Sequence, residues 1–148
     1  MRGPQASDQV EVATLPPASA DSQAQSAYSQ AYGRLIAEDL DGAEAAFSGF
    51  LKRFPSHELA GNAQYWLAES HFVRGQFASA AREFLTGYRT YASSPKAPES
   101  LLKLGLSLTA LGRKDEACSS LREVAERFPQ APSAVHERAA SEQINAGC

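Results

Sequence analysis

The stretch "SPKAPESLLKLGLSLTALGRKDEA", Ser94 to Ala117, decides the fold. It reads as a helix from Ala97 to Leu111 with a small residue, Gly105, at its middle. Pro98 sits near the first turn, where a missing N–H costs little. Gly112 is a suitable stop signal. Asp115 and Glu116 then open a second helix, where carboxylates favour the positive end of the helix dipole.

The same pattern recurs. Sliding the chain against itself by 37 positions aligns Ala43, Ala80 and Ala117, and likewise Phe47, Phe84 and Leu121. Phe54, Tyr91 and Phe128 align, as do Ala60, Ala97 and Ala134. Gly75 falls on Gly112, Leu67 on Leu104, and Ala31, Ala68 and Gly105 form a column of small residues. Chance gives one such column; many in a single register mean a repeat architecture.

Each unit reads as two helices. "AGNAQYWLAESHFVRGQ" spaces Tyr65, Leu67, Ala68 and Phe72 helically and stops at Gly75. "ASAAREFLTGYRTY" carries Ala80, Phe84, Tyr88 and Tyr91 on one stripe and is followed by Pro95. Two antiparallel helices joined by a tight turn must approach closely where they cross. Small residues at Ala31, Ala68 and Gly105, facing Ala43, Ala80 and Ala117, permit that approach, and Phe47 or Phe84 fills the seam. This is tetratricopeptide logic, whose usual period is about 34 residues; here three more residues lie between helix pairs, as in "SHELAGN". The polar tail "APSAVHERAASEQINAGC" suits a solenoid cap.

The expected fold is therefore all-α: a tetratricopeptide-repeat solenoid of three helix pairs plus a C-terminal capping helix. The expected repeats are residues 25–57, 61–94 and 98–131, with the cap at 132–148. The first 26 residues hold no aromatic residue and three of the eight prolines. Such composition buries too little apolar surface to offset ordering entropy, so residues 1–24 read as a Pro/Ser/Gln/Ala-rich linker and 25–148 as the domain.

Composition excludes several functions. A formal net charge of −3 gives no reason to expect nucleic acid. No apolar run is long enough for a membrane span, and "MRGPQASDQV" lacks the apolar core of a signal peptide, which fits either a cytosolic protein or a chain whose leader is absent. His57, His71 and His136 lie in different elements without metal-ligand spacing. Cys118 and Cys148 form no C-x-x-C pair, no nucleophile elbow is present, and Asp39 and Asp41 read as a solvated turn rather than a calcium loop. Neither enzyme, cofactor nor metal is expected.

"LAGNAQYWLAESHFVRGQFASAAREF", "FPSHELAGNAQYWL" and the opening stretch closely resemble the C-terminal tetratricopeptide domain of the Tol-Pal system YbgF/CpoB family, over about Gln25 to Cys148. That resemblance implies a periplasmic, non-catalytic interaction module. It would link outer-membrane constriction to septal peptidoglycan synthesis, with TolA or another envelope or peptidoglycan-synthesis protein as partner. It further implies oligomerisation only where an N-terminal coiled coil precedes the domain. Two other readings stand beside it: a tetratricopeptide structural subunit of an outer-membrane assembly complex, and a cytosolic adaptor.

In stacked helix pairs the first helices line the concave face. Counting from the small-residue column places Tyr28, Tyr65 and Leu102, then Tyr32, Glu69 and Leu106, and also Phe72, on that face, with Asn62 and Glu99 one turn earlier. Aromatics beside polar groups make an expected partner-binding groove of Tyr28, Tyr32, Asn62, Tyr65, Glu69, Phe72, Leu102 and Leu106. Trp66 is either a core anchor or a binding contact, and Lys103 reads as a solvated lysine. The Lys and Asn set of a carboxylate clamp is missing.

The cysteines complete the reading. The last second helix runs to about Phe128 and the cap returns from about Ser133. Cys118 lies ten residues before that turn and Cys148 about fifteen beyond it, so at ~1.5 Å per residue the two meet at one side of the layer. In the oxidising periplasm that the resemblance implies, a Cys118–Cys148 disulfide is expected, with Gly147 closing the cap in the left-handed conformation.

Overall fold

A computed structural model describes residues 19–148. The expected linker lies outside the described residues as far as residue 18. Seven helices follow in order: α1 Ala20–Ile36, α2 Leu40–Arg53, α3 Ala60–Val73, α4 Phe77–Thr90, α5 Ala97–Ala110, α6 Lys114–Arg127 and α7 Ser133–Asn145. They form the three helix pairs and the cap that the repeat predicts.

The first helix begins at Ala20 rather than at residue 25. Ser19 caps it by accepting the Ser22 N–H. Ala24 is fully buried, and Asp21 reaches the His57 ring at 2.7 Å. Residues 20–24, which composition assigned to the linker, form the start of α1 instead.

Each turn inside a pair is closed the same way. Gly75 and Gly112 have φ of +76° and +75°. In each case the next residue's N–H donates back to the carbonyl five positions earlier: Gln76 to His71 and Arg113 to Leu108, both at 2.9 Å. The first pair repeats this with Asp39 donating to Arg34, but the left-handed position is held by Glu38, at φ +61°. Gly147 closes α7 at +79°. Such a closure satisfies carbonyls that the helix end leaves open. Asp39 then starts α2, its carboxylate accepting from Gly42 N–H at 3.0 Å and from Arg34 at 3.0 Å. Those two donors hold its carboxyl below the usual carboxylate range.

The crossing columns are as tight as their sequence implies. Ala31, Ala43, Ala68, Ala80 and Ala117 are all at 0% exposure. A Cβ on Gly105 would stand 2.7 Å from the Leu121 side chain, so the third unit uses glycine where a branched leucine replaces phenylalanine. The core falls into two clusters. One is built on Phe47, Phe50, Ala63 and Leu67, the other on Tyr65, Phe84, Leu101, Leu121 and Val124.

The units are also joined on their outer side. Arg74 pairs with Asp41 at 2.6 Å and with Glu44, so the exposed carboxylate of Asp41, in the solvated turn the sequence suggested, also carries an ion pair. Cys118 and Cys148 are bonded as a disulfide, Cα to Cα 5.7 Å, and tie the cap to α6. No helix among the described residues is long and apolar enough to cross a membrane.

Candidate functional site

The curvature follows from which helices touch. Along the array the backbones of α1 and α3, α3 and α5, and α5 and α7 approach closely, whereas those of α2, α4 and α6 do not, and α4 and α6 meet only through side chains such as Tyr88 donating to Glu123. The first helices therefore line the inner, concave face and the second helices the outer one.

Aromatic rings pave the inner face. Tyr28 and Tyr32 stack one turn apart on α1, centroids 6.3 Å. Tyr32 meets the edge of Trp66 at 5.4 Å, and Trp66 meets Tyr65 at 4.9 Å. The Trp66 indole N–H donates to the Tyr28 hydroxyl at 3.0 Å. Burial pushes the Tyr28 phenol up, opposed by hydrogen bonds with Trp66 and Asn62. Trp66 packs against both core clusters, so the anchor role holds, and its partly exposed edge still faces the groove.

Two lysines, Lys96 at the start of α5 and Lys103 within it, lie over this paving. Lys96 Nζ sits 4.8 Å from the Tyr65 ring centroid and 5.1 Å from that of Trp66. Lys103 Nζ sits 5.2 Å from Phe72 and bonds Glu69 at 2.6 Å. Lys103 is thus no solvated lysine: its side chain and that of Glu69 are 16% and 17% exposed. Cation–π attraction and a partly desolvated ion pair reinforce each other there. Tyr65 is buried, and its phenol is pushed far above the ordinary range by desolvation first, then by Glu69 and Glu99.

The expected groove residues therefore divide. Tyr65 and Leu102, at 3% and 4% exposure, are floor rather than contact surface. Asn62, Glu69, Phe72 and Leu106 are half-buried, and Tyr32 is exposed. The reading passed over Lys96. Its signal was present, since Lys96 precedes Lys103 by two helical turns and shares its face of α5. His57 bonds Asp21 and His71 bonds Gln76, while the buried Nε2 of His136 has no hydrogen-bond partner among the described residues. Among the described residues, no group of three or more His, Cys, Asp or Glu side chains is placed to hold a metal.

Tetratricopeptide-repeat family models match residues 28–98 and 99–131. This chain belongs to the tetratricopeptide-repeat family. The tetratricopeptide array is similar to part of two Pseudomonas putida proteins, both named Cell division coordinator CpoB, at 42% identity over 48 residues. That match covers 32% of this chain, and the chain spans 18% of the length of those relatives. A tetratricopeptide array of this kind is a protein-interaction module.

Proposed function

We propose that the array is a non-catalytic periplasmic adaptor of the Tol-Pal envelope system, which couples outer-membrane constriction to septal peptidoglycan synthesis. Its inner face would hold a segment of TolA or of another envelope or peptidoglycan-synthesis protein. The observation that carries this reading is the continuous strip Tyr28–Tyr32–Trp66–Tyr65, rimmed by two paired lysines. Rigid aromatics with polar tips provide binding area at small entropic cost, and such residues dominate interface energetics. The likeness to proteins named for coordinating cell division supplies the setting.

Calorimetric titration with the soluble part of TolA tests it. Tyr32→Ala combined with Leu106→Ala removes accessible contacts without opening the core. Affinity is expected to fall at least about tenfold, the usual effect of losing an interface anchor. Unchanged affinity in the folded double variant moves the site off the inner face. No TolA binding by the unaltered chain removes TolA as the partner.

A further inference from the structure

The 37-residue register shows that the three outer seams between units use one position in three ways. Glu44, Ala81 and Cys118 share a column, and so do Arg74, Leu111 and Cys148. Between the first two units that pair of columns is filled by the Arg74–Glu44 ion pair, with Asp41 joining it. Between the third unit and the cap it is filled by the Cys118–Cys148 bond. Between the second and third units it holds Ala81 and Leu111, while Ala78 stands where Asp41 stands one unit earlier. No ion pair or disulfide joins that pair of columns; the two units are tied instead nearer the other end of α4, where the Tyr88 hydroxyl donates to Glu123 at 3.0 Å.

The result is a cleft of about 680 Å³ between α4 and α6, floored by Leu104, Leu108 and Leu111 of α5. Leu111 is 39% exposed. The α4 wall carries Leu85 between Arg82 and Arg89, two helical turns apart on one face, while the start of the α6 wall carries Asp115 and Glu116, the latter paired with Arg113. Arg82 bonds only the Ser79 hydroxyl, and no carboxylate among the described residues pairs with either guanidinium. Arg74 and Arg113, by contrast, are each matched to acids.

We infer that this outer cleft is a second docking site, distinct from the inner face, for a partner segment bearing an apolar anchor flanked by carboxylates. The anchor enters between Ala81 and Leu111, the place a salt bridge or a disulfide occupies at the neighbouring seams. The carboxylates meet Arg82 and Arg89. Basic residues with no acid of their own complement an acidic segment and make register and encounter charge-dependent. The site does not rest on the inner-face reading.

The chain's own chemistry supplies the test. The probe is a short synthetic peptide with two leucines four residues apart and flanking glutamates; its isosteres carry glutamine or lysine instead. The variant Ala78→Asp/Ala81→Glu/Leu111→Arg copies the first seam into the second and closes the cleft. Isotope-labelled protein is titrated and shift changes are mapped. The glutamate peptide is expected to perturb α4 and α6. The closed variant, checked as folded by its melt, should bind at least about tenfold more weakly. Arg82→Glu/Arg89→Glu should reverse the preference toward the lysine peptide. Absence of saturable binding, equal binding by the glutamine peptide, perturbation confined to α1 and α3, or undiminished binding by the folded closed variant would each overturn the proposal.

Discussion

The indole nitrogen of Trp66 and the hydroxyl of Tyr28 lie 3.0 Å apart, joining two core clusters across 38 residues of sequence. Tyr28→Phe removes the acceptor and leaves a partly buried N–H unmatched. Urea unfolding should show a loss of about 1 kcal/mol with an unchanged slope. Trp66→Ala should cost roughly 2–3 kcal/mol, since it strips packing from both clusters.

Glu38 holds a backbone conformation that Gly75 and Gly112 hold in the other two pairs. A side chain is disfavoured there by roughly 1–2 kcal/mol, whereas glycine adds back some entropy to the unfolded chain. Glu38→Gly should therefore stabilise by about 1 kcal/mol, seen as a higher melting temperature. Gly75→Ala and Gly112→Ala should move it the other way.

The disulfide closes a loop of 30 residues, for which the chain-entropy model gives about 3 kcal/mol. The cap buries only Val135 and Ala139, so little else holds it. Cys118→Ala/Cys148→Ala, or mild reduction, should raise amide exchange first in α7 and last in α3 and α4. Uniform exchange across all seven helices would contradict that order.

Asp39 and Tyr65 each make stability depend on pH, at opposite ends of the scale. Asp39 has a lowered carboxyl pKa, so its contribution is present above the ordinary carboxylate range and is lost as pH falls through the folded value. The melting gap between the unaltered chain and Asp39→Asn should therefore be open at neutral pH and shrink as pH falls below the ordinary carboxylate range. Tyr65 has a raised pKa. Its contribution is complete below the ordinary phenol value of 10.0 and falls as pH climbs above it. Tyr65→Phe should flatten the alkaline loss of stability in melts recorded from pH 9 upward.

The fold was legible because its signal repeats. Alanine, phenylalanine and glycine at fixed offsets are visible in one chain without neighbours to compare. The disulfide was legible for a related reason: helix lengths alone bring Cys118 and Cys148 to the same side. The start of α1 was not, because Ala24 looks like linker until Phe50 and Ala63 supply its pocket wall. At the inner face the register located the strip, but register alone does not separate floor from rim. Tyr65 and Leu102 share a column with Tyr28, yet only α5 and α7 stacked above decide how far each is covered. Lys103 was misread because its partners, Glu69 and Phe72, sit on another helix, where no local spacing announces them.

The helix pairs turn inside three residues, 37–39, 74–76 and 111–113, whereas successive units are joined by six, six and five residues. The short turns lie at the edge where the left-handed residues sit, and every one of their N–H groups donates to a carbonyl of the preceding helix. The longer joints at 54–59, 91–96 and 128–132 lie at the opposite edge. Loop closure grows only slowly more costly with added length. Foreign sequence, whether a labelling tag or a grafted epitope, belongs at those joints: the domain can lengthen along one margin while the other stays fixed.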